Sequence, residues 1–253
     1  MNPRIGGLQS LSTVDWNGHV TSLIFTAGCN FRCPFCQNSA LLSMNSGREI
    51  ELNELLNRIE IDLTLADSIG FTGGEPCLQP ELLLETFKWS RKIGLKTYLN
   101  TNGSFPLIIE NLIHQQLLDY VAFDVKAPLK PNTYSKVIGI SNGVEKIISD
   151  IKDTIRICTR NLLDFEVRTT VVPTLIDDED SIKEIARTIR DAPSFILQQF
   201  YPSNNVLNEQ LRKIRSPKRV DLQALARVAK EEGIKNVYIR TTTHGLEKVE
   251  LHA

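Results

Sequence analysis

Apolar residues recur along this chain in two alternating periods. Short runs rich in β-branched and aromatic residues predict strands, and longer runs with apolar residues three or four positions apart predict helices. The predicted strands are residues 20–29, 66–76, 95–103, 118–128, 165–173, 195–202 and 236–245. The predicted helices are residues 51–65, 80–94, 106–118, 144–160, 181–190 and 220–232. This alternation is typical of βαβ units and a parallel sheet.

The units follow one another without an evident linker. We therefore expect one α/β domain over residues 1–253, built as a partial (β/α)6-type TIM barrel of parallel strands. Within it, residues 1–19 form a lead-in segment, residues 20–202 the core, and residues 203–253 a C-terminal helix-strand extension. A doubly wound open sheet is the alternative, and periodicity alone does not separate the two.

Unusual polar residues and glycines follow the predicted strands at their carboxyl ends. They are Cys29, Gly73, Gly74, Glu75, Asn102, Asp124, Lys126, Gln198 and Gln199. Barrels and open α/β sheets both bind ligands at this edge. The pattern therefore predicts a ligand site there.

Composition and charge narrow the function classes. Hydrophobic residues make up 42% and charged residues 23% of the chain, and the formal charge is −1, so nothing favours nucleic acid or a membrane as partner. The first residues lack a basic region followed by an apolar run, and no stretch approaches the roughly 18 apolar residues of a membrane span. We expect a cytoplasmic protein with reduced cysteines. The basic stretch 212–219 reads as a solvated connection, although it could dock an acidic partner.

Three of the five cysteines lie in the segment CNFRCPFCQN, as Cys29, Cys33 and Cys36. Their spacing would fit one face of a helix, but Pro34 would break a helix there, so we expect a loop. A structural zinc site requires four ligands, and no second pair of cysteines is present. Three thiolates suit a 4Fe–4S cluster that leaves one iron open. A metal-binding module without catalysis is the rival reading.

The lone cysteines and the histidines carry no comparable pattern. Cys77 and Cys158 are expected as small buried or turn residues. The four histidines, His19, His114, His244 and His252, show no metal-ligand spacing, and no role is assigned to His244.

The Cx3Cx2C loop after the first strand of an α/β chain resembles that of the radical S-adenosylmethionine (SAM) superfamily. The resemblance implies a cluster held by Cys29, Cys33 and Cys36, whose fourth iron is chelated by SAM. The segments FTGGEP, LNTNG and FDVKAP resemble three further motifs of the superfamily. The SAM-binding residues implied by these motifs and by weaker correspondence are Phe35, Gly73, Gly74, Glu75, Thr101, Asn102, Asp124, Lys126 and Arg168, with Gln198 and Gln199 as further candidates at the mouth.

These implied roles differ along the chain. The GGEP turn with Glu75 would meet the amino group of SAM, and Phe35 would lie against its adenine. Thr101 and Asn102 would bond the ribose hydroxyls, and the Asp124–Lys126 pair would contact SAM or the backbone of a target protein. Plain alternatives are core packing for Phe35, an Asn-Gly turn at LNTNG, and an ion pair at the rim for FDVKAP.

Residues 7–38 resemble the start of activating proteins of anaerobic ribonucleoside-triphosphate reductase. Gln37 stands where many relatives have His, and Asn17 stands where Pro is usual. The resemblance implies an enzyme that cleaves SAM reductively and forms a glycyl radical on a partner enzyme, with a flavodoxin or ferredoxin as electron donor. The alternatives are a pyruvate formate-lyase-type activase and a small-molecule enzyme such as 7-carboxy-7-deazaguanine synthase.

Overall fold

The structure, a computed structural model, describes residues 3–63 and 65–251. The chain divides into two compact units. The first unit comprises Met1–Asn30 and Ala40–Ala122, and the second comprises Phe31–Ser39 and Phe123–Ala253. The boundary between the units therefore falls within the cysteine segment. Cys29 belongs to the first unit, and Cys33 and Cys36 belong to the second. The division into lead-in, core and extension stays a prediction.

The first unit is an α/β arrangement with a mixed sheet. Its strands are β1 (Arg4–Ser12), β2 (Thr21–Thr26), β3 (Arg48–Glu49), β4 (Ser68–Gly73) and β5 (Lys96–Thr101), in the spatial order β3-β1-β2-β4-β5. Its helices are α1 (Leu52–Asp62), α2 (Pro80–Lys92) and α3 (Pro106–His114), with a 3-10 turn at Pro76–Leu78. Strands β2, β4 and β5 are parallel, whereas β1 is antiparallel to both β2 and β3.

The second unit repeats the strand–helix alternation. Strand β6 (Tyr120–Asp124) enters it from the first unit. There follow α4 (Pro131–Ile138), α5 (Val144–Arg160), β7 (Asp164–Val171), α6 (Glu179–Thr188), β8 (Ser194–Gln199), a 3-10 turn at Leu211–Lys213, α7 (Arg219–Glu231), β9 (Val237–Thr241) and β10 (Gly245–Val249). Strands β7, β8 and β9 are parallel, and β10 pairs antiparallel with β9.

The parallel strands are largely buried on both faces, as expected where both sides of a sheet are covered. In the first unit Ile24, Ile69 and Phe71 are fully buried, and in the second unit Val167 and Leu197 are fully buried. This packing explains why the central strands read as continuous apolar runs rather than as an alternation of apolar and polar residues.

Helix α2 shows how local sequence sets an element. It begins at Pro80, whose fixed φ suits the first helical position, and it ends before Gly94, which adopts a φ of +81°. Arg91 and Lys92 lie in its last turn, where cations interact favourably with the helix dipole. The predicted start and stop of this helix are both confirmed.

All of the predicted helices and strands are present, with ends shifted by a few residues, and α5 has the predicted bounds. Four elements were not predicted: β1, β3, α4 and β10. β1 contains Gly6 and Gly7, which weaken a strand pattern; at Gly6 a Cβ would lie 2.3 Å from the side chain of Leu41. β10 is polar and depends on its pairing with β9. No helix within residues 3–63 and 65–251 is long and apolar enough to cross a membrane.

Candidate cofactor site

The cysteine segment is a loop, as Pro34 predicts. Its start belongs to the first unit, where Gly28 adopts a φ of +91° and donates its N–H to Leu41 O at 2.8 Å. Cys29 N donates to Leu42 O at 3.1 Å. These two bonds fix the backbone at Cys29 directly after β2.

The rest of the loop belongs to the second unit. Cys36 N donates to Cys33 O at 3.0 Å and closes a tight turn around Pro34. Arg32 N donates to Ile138 O at 2.8 Å, so the end of α4 holds the loop from one side. None of the five cysteines, all within the described residues, forms a disulfide. Cys77 and Cys158 are buried, as predicted.

The thiol of Cys36 lies among opposing electrostatic influences. Burial raises its pKa, while a hydrogen bond with the Asn38 backbone and the charges of Lys126 and Arg32 act in the opposite direction. Burial dominates and leaves the pKa of Cys36 above its ordinary value, and the two cations reduce the rise.

A segment far along the chain covers this half of the loop. Residues 201–208, here called the strap, follow β8 as irregular backbone. Leu207 N donates to Cys36 O at 3.0 Å, and Asn208 N donates to Pro34 O at 2.8 Å. The sequence analysis missed the strap, because backbone donors and acceptors occur at almost every residue and leave no pattern.

The GGEP turn packs its two glycines against neighbouring backbone. Gly73 has a φ of +110°, and a Cβ there would lie 2.5 Å from Thr26 N. A Cβ on Gly74 would lie 2.0 Å from Gly28 O, to which Glu75 N donates at 2.7 Å. Glycine is therefore required at both positions by the close approach of the chain itself.

Glu75 is fully buried and its carboxylate accepts three hydrogen bonds from the chain. The donors are Thr101 Oγ1 at 2.7 Å, Asn102 N at 2.7 Å and Cys77 N at 3.0 Å. Burial raises the pKa of Glu75, and these three donors oppose the rise. The structure thus brings Glu75, Thr101 and Asn102 together, with Glu75 holding the other two.

Asn102 joins a second group of hydrogen bonds at the end of β5. Its Nδ2 donates to Asn30 Oδ1 at 2.7 Å, and its Oδ1 accepts from Ser104 N at 3.0 Å. Asn30 Nδ2 donates to Ser104 Oγ at 2.9 Å and completes the group. Asn30 adjoins Cys29, so these bonds tie the cysteine loop to the end of β5. The sequence analysis singled out Asn102 but neither Asn30 nor Ser104. Gly103, which follows Asn102, adopts a φ of +75°.

Asp124 and Lys126 form an ion pair, with 3.0 Å between Asp124 Oδ2 and Lys126 Nζ. Both side chains are largely buried, and Lys126 Nζ lies 5.9 Å from the ring centre of the buried Phe35. Burial alone would lower the pKa of Lys126, but the negative charges of Asp124 and Cys33 outweigh it and raise the pKa above its usual range. Lys126 is therefore a cation held next to the cysteine loop.

Two of the remaining predicted residues, Arg168 and Gln199, have structural partners. Arg168 is almost fully buried in β7 and pairs with Glu166, which is itself buried. Gln199 donates through Nε2 to Pro217 O at 2.8 Å and accepts from Thr242 N at 3.0 Å, so it ties β8 to the C-terminal segment. Gln198 is half-buried on the same strand.

Among the residues that the structure describes, no three side chains of His, Cys, Asp or Glu are grouped closely enough to hold a single metal ion. This observation concerns a mononuclear site, in which all donors meet at one ion. In a 4Fe–4S cluster the protein's thiolates bind different iron atoms, so a wider spacing of the sulfurs is expected.

Comparison with known proteins gives a consistent result. The family described as the Radical SAM superfamily matches residues 23–158, which is more than half of the chain. A protein of Methanocaldococcus jannaschii, provisionally named a glycyl-radical enzyme activating enzyme, is 36% identical over 95% of this chain and 97% of its own length. The pyruvate formate-lyase-activating enzyme of Clostridium pasteurianum is 27% identical over 74% of this chain and 76% of its own.

Solved structures agree at the level of the fold. The crystal structure of a radical SAM methyltransferase from Sphaerobacter thermophilus matches with a TM-score of 0.68 and 15% identity, over 89% of this chain and 67% of that one. At this identity the likeness concerns the fold alone. The α/β fold with mostly parallel strands that the sequence predicts is confirmed.

Proposed function

The chain belongs to the radical SAM superfamily, whose enzymes use a 4Fe–4S cluster and SAM, and we propose on this premise that it activates a partner enzyme by forming a glycyl radical on it. The observation that carries the proposal is the relative named as a glycyl-radical enzyme activating enzyme, which is 36% identical over 95% of this chain. The match covers nearly the whole length of both proteins.

Cys29, Cys33 and Cys36 are the residues that would hold the cluster. Their chemistry fits the group: all three are reduced thiols on one short loop, and the charges of Lys126 and Arg32 oppose the rise that burial causes in the pKa of Cys36. A cluster with three protein thiolates carries negative charge, and a nearby buried ammonium offsets the penalty of holding that charge away from water. Three thiolates leave one iron for SAM.

The residues that would bind SAM occur in both units. In the first unit they are Gly73, Gly74, Glu75, Thr101 and Asn102, and in the second they are Phe35, Asp124, Lys126 and Arg168. The carboxylate of Glu75 already accepts three hydrogen bonds. We therefore assign to Glu75 the positioning of Thr101 and Asn102 in addition to its place in the SAM site, and to the peptide groups of the GGEP turn a share in the contact with the amino group of SAM. Gln198 and Gln199 remain candidates for the mouth.

One-electron reductive cleavage of SAM to methionine and a 5′-deoxyadenosyl radical, which takes a hydrogen atom from a glycine Cα, is the chemistry that cluster and SAM supply when bound. The chain itself binds, orients and shields. Asn30 and Asn102 connect the cysteine loop to the strand that carries the ribose candidates. Phe35 and the fully buried strand residues exclude water from the neighbourhood of a reactive radical.

The partner we propose is an anaerobic ribonucleoside-triphosphate reductase, supported by the resemblance of residues 7–38 to the activating proteins of that enzyme. A pyruvate formate-lyase-type partner is the second candidate, favoured by the likeness to the Clostridium pasteurianum activase. A flavodoxin or ferredoxin as electron donor and a cytoplasmic location belong to the same proposal.

The test is anaerobic. The chain is reconstituted with iron and sulfide and incubated with SAM, a reductant and either candidate partner enzyme. A doublet electron paramagnetic resonance signal on the reductase is expected, and a signal on pyruvate formate-lyase instead would transfer the assignment. Turnover of a small molecule such as a deazaguanine precursor, with no radical on either partner, would contradict the proposal.

Two cysteine variants provide the matched control. Cys33→Ala should lose the visible absorbance of the cluster together with SAM cleavage, because one iron loses its thiolate. Cys158→Ala, which removes a buried thiol within α5, should keep both. SAM cleavage by a Cys33→Ala variant at the parent's rate would show that the ligands are assigned wrongly.

A further inference from the structure

The strap meets the second half of the cysteine loop through four hydrogen bonds. Two join backbone to backbone, from Leu207 N to Cys36 O and from Asn208 N to Pro34 O. The other two run from the side chains of the loop: Gln37 Nε2 donates to Tyr201 O at 2.7 Å, and Ser39 Oγ donates to Asn205 O at 2.6 Å. The strap therefore bonds to the cysteine segment and its next residue, Ser39, along the whole length of the strap, from Tyr201 to Asn208.

The strap is itself anchored in the second unit. The side chain of Val206 is fully buried, and Val206 O accepts from Arg212 Nε at 2.7 Å. On the other side of the loop, Arg32 N is bonded to Ile138 O at the end of α4. The segment between Arg32 and Ser39 is thus held between a helix end and the strap, and Cys36 lies on the side of the strap.

Gln37 is the side chain that closes this contact. It adjoins Cys36, and its amide reaches the carbonyl of Tyr201, the first residue of the strap. The adjacent residues Cys36 and Gln37 thus bond to opposite ends of the strap. Cys36 O accepts from Leu207 N, and Gln37 Nε2 donates to Tyr201 O. His, like Gln, carries a side-chain N–H donor, so a His at this position could make the same bond.

We propose that the strap is a clamp on the cysteine loop and that Gln37 is the positioning residue that locks it, so that the Cys36 thiol is held in place as a cluster ligand. This inference rests on the proposed ligation of a cluster by Cys36. The clamp restrains the backbone carbonyls of Pro34 and Cys36, and it slows the opening motion by which water or a chelator reaches that corner of the cluster.

The first test requires no cluster. Amide hydrogen exchange of Leu207 and Asn208 is followed in the apoprotein by mass spectrometry or NMR. Gln37→Glu keeps the size of the side chain but presents oxygen to the carbonyl of Tyr201, so the two amides should exchange about 3- to 10-fold faster, the effect of losing one hydrogen bond. Gln37→His should restore the parent's rates. Gln115→Glu, the same substitution at the exposed residue that follows α3, should leave them unchanged.

The second test uses the reconstituted protein. Loss of the visible cluster absorbance to an iron chelator is timed under anaerobic conditions. The order of rates should be Gln37→Glu fastest, with Gln37→His and Gln115→Glu equal to the parent. Val206→Ala removes the buried anchor of the strap and leaves the Gln37 bond in place. It should accelerate both the amide exchange and the loss of iron, and so tests the clamp independently of Gln37.

The outcomes separate the clamp from the proposed function. Unchanged exchange at Leu207 and Asn208 in both Gln37→Glu and Val206→Ala would overturn the clamp. Faster exchange with an unchanged rate of iron loss would overturn its role toward Cys36. A parent protein that takes up no cluster would refute the proposed function and the role toward Cys36 together, while the exchange data would still decide whether Gln37 locks the strap.

Discussion

At the scale of single residues, Glu75 is the clearest case of a side chain whose surroundings define its role. The sequence places it in a turn that resembles a SAM-binding motif, and a direct contact with the amino group of SAM is the first expectation. In the structure both carboxylate oxygens accept hydrogen bonds from donors of the same unit, which are Thr101, Asn102 and Cys77. A buried carboxylate with three donors organises the residues around it.

We predict that Glu75→Gln lowers the free energy of unfolding by about 1–3 kcal/mol, because the new amide group faces a donor and leaves a buried polar group unsatisfied. Urea denaturation of the apoprotein measures this. Glu85→Gln on the exposed face of α2 removes only a surface pair with Lys88 and should have no resolvable effect. Equal stabilities of the two variants would contradict the role of Glu75 as an organiser.

The same carboxylate predicts a pH dependence. Burial raises the pKa of Glu75 above its ordinary value of 4.5, so the folded state binds more protons than the unfolded state between the unfolded and the folded pKa. The free energy of unfolding therefore falls as pH rises through that interval. The stability advantage of the parent over Glu75→Gln should be larger near pH 4.5 than at neutral pH, which urea titrations at several pH values would measure. An advantage that grows with pH would refute this assignment.

At the scale of elements, α4 was not predicted, and it supports the cysteine loop. The helix ends at Ile138, and its C-cap Gly139 has a φ of +66°. A Cβ on Gly139 would lie 2.2 Å from Arg32 O. Arg32 N is bonded to Ile138 O. The glycine allows both the left-handed helix end and the close contact of the loop with it.

A pair of glycine substitutions separates these two effects. Gly143 has a φ of +71° and open space around its Cβ position, so Gly143→Ala should lose only about 1–2 kcal/mol through backbone strain. Gly139→Ala adds a collision with Arg32 O, and we expect a further loss of about 1–3 kcal/mol. Urea denaturation provides the stabilities, and Cys33 should be alkylated faster in the Gly139→Ala variant alone. Matching results for the two variants would mean that the contact with the loop has no consequence.

Helices with clear apolar periods and strands with continuous apolar runs were all predicted, because the residues of each such segment indicate its type of secondary structure without reference to the rest of the chain. The elements that were missed depend on neighbours. Strand β1 carries two adjacent glycines and β10 is mostly polar, and both exist through ladders to β2 and β9. A strand whose stability comes from pairing rather than from its own residues leaves a weak pattern.

At the scale of the whole molecule, charges are divided between the surface and the interior. Most ion pairs are exposed, as for Arg187 with Glu232, whereas Glu166 is buried with Arg168 on the same strand and Arg240 at 3.9 Å. Removing one member of a buried pair leaves a charge without compensation, and this is far more harmful than losing a surface pair.

Arg168→Met should therefore lower the free energy of unfolding by up to about 3–5 kcal/mol, because Glu166 stays buried and keeps the more distant Arg240 but loses its nearer guanidinium. Arg187→Met, on an exposed pair, should produce no resolvable change. Thermal and urea unfolding of the apoproteins give the comparison. If Arg168→Met weakens SAM binding but retains the parent's stability, the arginine serves the ligand rather than the fold.

The sequence by itself determined the strand–helix alternation, the loop at Pro34, the set of three thiols and the positions of the glycines in the GGEP turn. Each of these follows from residues close together in the chain. Only the tertiary structure decided that Glu75 holds Thr101 and Asn102, that Asn30 meets Asn102, that antiparallel strands are added to the parallel ones, and that the strap bonds to Cys36 and Gln37. The bonds of the strap join residues more than 160 positions apart. They depend on packing and on backbone groups that every residue except proline carries alike, so no local pattern reveals them.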